Sequence, residues 1–157
     1  MSRLDRLRRL LPGLWAGWLL CVALLATPAP FATLATADAG RVVGRMLAQE
    51  AYTSLVIGAI LLLLERLAAR RVASAGQGSQ FSTAMVLAAG AIFCTVACYF
   101  GVQPMMAPAR AGQGVLSFGQ LHAVSAAFFI VNLALVSALA WLATRPPAVA
   151  VSPPASS

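Results

Sequence analysis

"RMLAQEAYTSLVIGAILLLLERLAARR", residues Arg45 to Arg71, decides how many times this chain crosses a membrane. Fourteen residues, Ala51 to Leu64, separate Glu50 from Glu65, whereas a helix needs about 20 mostly apolar residues to cross a bilayer. Either this block does not span, or its helix begins near Met46 and carries Glu50 into the outer part of the membrane. The second reading is the better one, because three spans would set the arginine-rich segments on opposite sides of the bilayer.

The sequence on either side calls for the same solvent. Hydrophobic residues make up 61% of the chain and charged ones 10%, far from the usage of a soluble domain. The net charge of +7 comes from eleven basic residues, all arginine, against four acidic ones. They cluster between apolar blocks without interleaved aromatics, which argues against a nucleic-acid partner. No charge occurs between Arg9 and Asp38, so a first span fits 11–31. The second is 46–67; a polar "SAGQGSQ" at Ser74–Gln80 precedes the third at 81–102, and the fourth is 118–142. The expected fold is all-α, an integral membrane four-helix bundle built from two helical hairpins. A basic segment at 1–10 precedes it and a disordered Pro/Ala/Ser-rich tail at 143–157 follows.

Arginines set the expected orientation, since short inner loops are enriched in them. With the N-terminus inside, inner segments hold Arg3, Arg6, Arg8, Arg9, Arg66, Arg70, Arg71 and Arg145, and outer loops only Arg41, Arg45 and Arg110. Both termini are then cytoplasmic in a cell (inner) membrane, with the basic head against anionic lipid headgroups. Trp141 fits the inner interface. A secretory signal ending at "ATA" before Asp38 is the rival; the apolar run is long for a signal core, and cleavage would leave "RLAARR" outside.

Small residues at four-residue spacing let helices approach in lipid, and two stripes qualify: Gly13, Gly17 and Cys21, then Gly90, Cys94 and Cys98. The cysteines are read as soft packing residues, with no zinc spacing. The alternative is a soft-metal site for Cu(I) from Cys98, Met105, Met106 and His122.

The apolar run from Gln120 to Trp141 keeps the sole histidine, His122, and Asn132. At 100° per residue His122, Ser125 and Asn132 share an arc of about 80°, a face expected to point inward. Glu50, Thr53, Ser54 and Gly58 share a face likewise, so Asn132 is expected to meet Ser54 or Thr53. Glu50 and His122 are expected to form a coupled polar site near the outer face, lined by Arg41, Arg45 and Gln103.

The outer-turn pattern Pro28, Pro30-Phe31, Leu34, Ala39-Gly40 and Gly44-Arg45-Met46, with Gln103-Pro104 and Phe118, Leu121, His122 and Ser125, resembles the transmembrane protein 205-like family, also catalogued as a domain of unknown function. The resemblance covers about Leu11 to Leu142. It implies a four-helix integral membrane protein and no established enzymatic activity. The chain departs from the pattern at Leu47, where relatives carry an aromatic, and at Met105, where they carry an arginine; Arg110 is a displaced counterpart.

Enzymatic motifs such as G-x-S-x-G, H-E-x-x-H or a phosphate loop are lacking, and no cofactor is expected. The favoured reading is a structural or accessory membrane component, with a homo-oligomer or another membrane protein as partner. The alternatives are a transporter or channel for a small solute, ion or proton, working as an oligomer, and the soft-metal protein.

Overall fold

The computed structural model describes residues 3–76, 79 and 81–145; the tail expected at 143–157 lies outside them from residue 146 onward. Four helices are long and apolar enough to cross a membrane: α1 (Arg3–Thr33), α2 (Thr36–Ser74), α3 (Thr83–Arg110) and α4 (Phe118–Ala143). Among the described residues there is no strand. Successive helices pack side by side, and α4 closes back on α1, while no comparable contact joins α1 with α3 or α2 with α4. This is an up-down-up-down four-helix bundle of two hairpins.

The helices run past the apolar blocks because backbone hydrogen bonding, not hydropathy, ends a helix. Arg, Leu, Ala and Glu are all good helix formers, so "RLDRLRRLL" is not a separate head but the opening turns of α1. For the same reason α2 reaches 39 residues, about 58 Å at 1.5 Å per residue, longer than a bilayer with its headgroups. Stops and starts follow local chemistry. Gly76 and Gly112, both at φ 72°, end α2 and α3. Ser82 accepts from the Met85 N–H; Ser117 and Gln120 form a reciprocal capping box at the start of α4.

Two helices contain a π-helical turn immediately before a proline. In α1 it covers Val22–Ala26 and the Thr27 N–H reaches back five residues to the Val22 carbonyl. In α3 it covers Ala97–Val102 and the Gln103 N–H reaches the Cys98 carbonyl. Pro28 and Pro104 supply no N–H, and a proline ring in an α-helix strikes the carbonyl four residues back. The wider turn accommodates it in both helices.

The interior is layered. At the arginine-rich end Trp15, Leu19, Leu61, Ala88, Ala91, Val136 and Leu139 form the main core. At the proline-rich end Val102, Met106 and Leu121 form a second cluster between α3 and α4. Between these clusters lies a polar layer of Glu50, Ser54, Thr95 and Asn132, all buried.

Candidate polar site inside the bundle

Glu50, Ser54, Gly58 and Leu61 recur at intervals of four, four and three residues, and all are buried on one face of α2. Gly58 lets α1 come close; a methyl in place of its hydrogen would stand 2.7 Å from Ile92 Cγ1 and 3.1 Å from Trp15 Cη2. Trp15 thereby reaches α2 with its one polar atom. Its indole N–H donates to Ser54 Oγ at 2.8 Å, and the Ser54 hydroxyl donates to Glu50 Oε1 at 2.6 Å. An indole can only donate and a hydroxyl can do both, so the relay has one direction and ends on the carboxylate. Glu50 is 6% exposed and makes no ion pair among the described residues.

A second relay crosses from α4 to α3. Asn132 Nδ2 donates to Thr95 Oγ1 at 3.2 Å, and the Thr95 hydroxyl donates to the Ala91 carbonyl at 3.1 Å. Because Thr95 has committed its proton to Ala91, it can only accept from Asn132, which fixes the amide orientation. Among the described residues no group donates a hydrogen bond to the buried Asn132 carbonyl oxygen. One turn along, Cys98 Sγ lies 3.2 Å from Ser125 Oγ.

Both relays border one cavity of about 40 Å³, lined by α2, α3 and α4. A water needs roughly 10–15 Å³ by this measure, so the space suits a few water-sized groups. A drug-sized ligand needs about 300 Å³ or more. The π-helical turn of α3 contributes Cys98 and Tyr99 to the wall. Tyr52, Tyr99 and Phe100 pack edge to face beside it, with ring centroids 5.0–6.4 Å apart. The arrangement offers one carboxylate, hydroxyl oxygens and an amide carbonyl open to a hydrogen-bond donor, a set able to hold water, a proton or a small cation.

Of the residues expected at a site, Glu50, Asn132 and Gln103 line this cavity together with Cys94 and Cys98. His122 does not: it is exposed and stacks on Phe118 at 5.9 Å between centroids, with the Arg110 guanidinium 4.5 Å over the same ring. Thus the His122–Glu50 pair is not formed. The helix-wheel arc was too generous, since Leu121 lies within about 20° of Asn132 and His122 about 80° away; Leu121, Asn132, Val136 and Leu139 carry the buried stripe. Arg41 pairs with Asp38 on the surface, and Arg45 is exposed. Asn132 meets Thr95 rather than Ser54 or Thr53, the last being exposed.

The two small-residue stripes divide. Gly90 faces Leu135, whose Cδ1 would lie 3.2 Å from an added methyl, and Cys94 is buried. Gly13, Gly17 and Cys21 instead lie on the outer surface of the bundle, with nothing among the described residues within 4 Å of a methyl on either glycine. Pro12, Trp15, Leu19 and Val22 make that contact. The soft-metal donors are scattered: Cys98 lines the cavity, Met106 sits in the second cluster, and Met105 and His122 are exposed. Trp15 and Thr95 were missed by sequence reasoning. An indole N–H in an apolar run, which wants a partner when buried, was the available signal for Trp15.

A protein-family model described as a domain of unknown function (DUF4149) matches residues 10–115. That region contains Trp15, Glu50, Ser54 and Thr95 but stops short of α4 and Asn132. No curated protein and no solved structure matches the chain.

Proposed function

From the premise that this chain belongs to the DUF4149 family, we propose that it is a multi-pass membrane protein that binds and exchanges a proton or small cation at Glu50. The observation that carries this reading is a carboxyl group buried between membrane helices with no ion pair among the described residues, beside an amide carbonyl open to a hydrogen-bond donor. Intramembrane ionisable residues are costly and mark ion and proton pathways by default. Transport is therefore favoured over catalysis, and the cavity size restricts the cargo to a few atoms. The likeness to transmembrane protein 205 fits the same architecture and adds no activity.

Purified protein in liposomes should dissipate an imposed proton or sodium gradient. Glu50→Gln keeps the shape of the side chain and its Ser54 contact but removes the charge, and should bring flux to the level of protein-free vesicles. Undiminished flux in folded Glu50→Gln would overturn the proposal.

The arginine distribution supports a cell-membrane orientation with both termini cytoplasmic and the arginine-rich end at anionic headgroups. A cysteine at Gln113 should react with impermeant maleimide from outside, and one at Ser79 should be protected; the opposite pattern reverses the orientation. An accessory role is the second reading. It is supported by the outward Gly13, Gly17 and Cys21 stripe, which the bundle leaves unused and which suits a partner helix, from another copy or another membrane protein.

A further inference from the structure

A second concave feature lies away from Glu50, at the arginine-rich end. It is a cleft of about 280 Å³ whose rim is formed by Arg8, Arg9, Arg145 and Glu65 and whose floor includes Leu139 and Leu142. These residues come from α1, α2, α4 and the residue pair following α4. Three guanidinium groups face one carboxylate, so the cleft keeps a positive excess of two. Arg8 Nε lies 3.5 Å from Glu65 Oε1, with the Glu65 carboxylate buried and Arg8 about one-third exposed. That pair holds one guanidinium in place at the mouth of the cleft. Trp141, 70% exposed, lies four residues before Arg145, at the level where indoles settle between hydrocarbon and headgroups.

A surface of this composition asks for a ligand that is anionic at one end and apolar at the other. Guanidinium groups match the oxygens of a phosphate two at a time. The leucine floor gains only from hydrocarbon. A free phosphate or a nucleotide would use the rim and leave the floor wet. Basic pockets between membrane helices are a recognised form of anionic-lipid site. We infer that this cleft binds one anionic phospholipid, its phosphodiester on Arg9 and Arg145 and its upper acyl carbons on Leu139 and Leu142. Glu65 positions Arg8 and at the same time limits the charge available to the lipid.

The inference rests on the arginine-rich end lying at a membrane surface, and the test separates the two. Native mass spectrometry of the full chain in detergent, titrated with phosphatidylglycerol, phosphatidylcholine or inorganic phosphate, reads binding directly. One phosphatidylglycerol should bind in preference to phosphatidylcholine, and millimolar phosphate should not displace it. Arg9→Gln with Arg145→Gln should weaken phosphatidylglycerol by roughly 30-fold, from about 1 kcal/mol per arginine. Arg70→Gln with Arg71→Gln, both exposed on α2 at the same end, should change it less than about twofold. Glu65→Gln should tighten it severalfold, a gain that misfolding cannot produce. Equal losses from both arginine pairs would overturn the cleft while sparing the surface reading. No preference for phosphatidylglycerol in the unaltered protein would overturn both. Displacement by inorganic phosphate would make it a phosphate site and overturn the lipid assignment. Weaker binding in Glu65→Gln would also count against it.

Discussion

Trp15→Ala should destabilise the bundle by about 3 kcal/mol, the lower end of the range for emptying a buried aromatic site. The indole is fully buried among residues of α2, α3 and α4, and in lipid the transfer part of the usual cost shrinks because acyl chains are as apolar as the core. What remains is the loss of close packing around a large void. Ser54 also loses its donor, which slackens the hydroxyl that holds Glu50. Trp15→Phe fills much of the void but lacks the N–H, and should cost about 1 kcal/mol. Trp141→Ala is the control, since that ring is 70% exposed, and should stay within about 0.5 kcal/mol. Reversible unfolding in mixed detergent micelles measures all three. A Trp15→Ala protein as stable as Trp141→Ala would show that the relay does not hold the bundle together.

Gly58→Leu should be the second severe change, at about 1–3 kcal/mol or more, because it overfills a contact already at its limit. Even the first added carbon would meet Ile92 Cγ1 at 2.7 Å, well inside van der Waals distance. Either α1 and α3 withdraw from α2, or the Trp15 indole leaves Ser54. Gly17→Leu, by contrast, adds its side chain to open surface and should leave monomer stability unchanged within about 0.5 kcal/mol. This order is the reverse of what the Gly13, Gly17 and Cys21 spacing suggests. Ile92→Ala should relieve part of the damage of Gly58→Ala, as expected of two residues in direct contact. Thermal aggregation of the four proteins in one detergent decides it, and a Gly17→Leu loss equal to that of Gly58→Leu would refute the assigned packing.

The number of helices and the class of protein were legible because lipid imposes them: charge-free blocks of bilayer length admit few other readings. The azimuth of each helix was not. A helix apolar all round, like α4, presents no contrast between buried and lipid-facing sides, so only its polar residues offered a direction. Asn132 gave the correct one, while His122, a turn from the helix start and close to the interface, could stay at the surface by stacking on Phe118. In α1 the glycines suggested a contact by spacing, yet a tryptophan opposite a glycine on the neighbouring helix fills the same gap. Glu50 was found because the short interval to Glu65 forced it into the membrane. Ser54, four residues along, shares its face by helix geometry alone, but the indole 35 residues before it joins the relay only after packing.

The π-helical turn at Ala97–Val102 separates chain length from phase at that point. Deleting a single residue there would close the turn into regular α-helix and leave everything beyond it facing the same way, because the wide turn already absorbs the rotation of about 100° that one residue adds. Gln103 would keep its place on the cavity wall, while Pro104 would lose the room that the wide turn gives its ring. The extra residue thus makes space for a proline without turning the site.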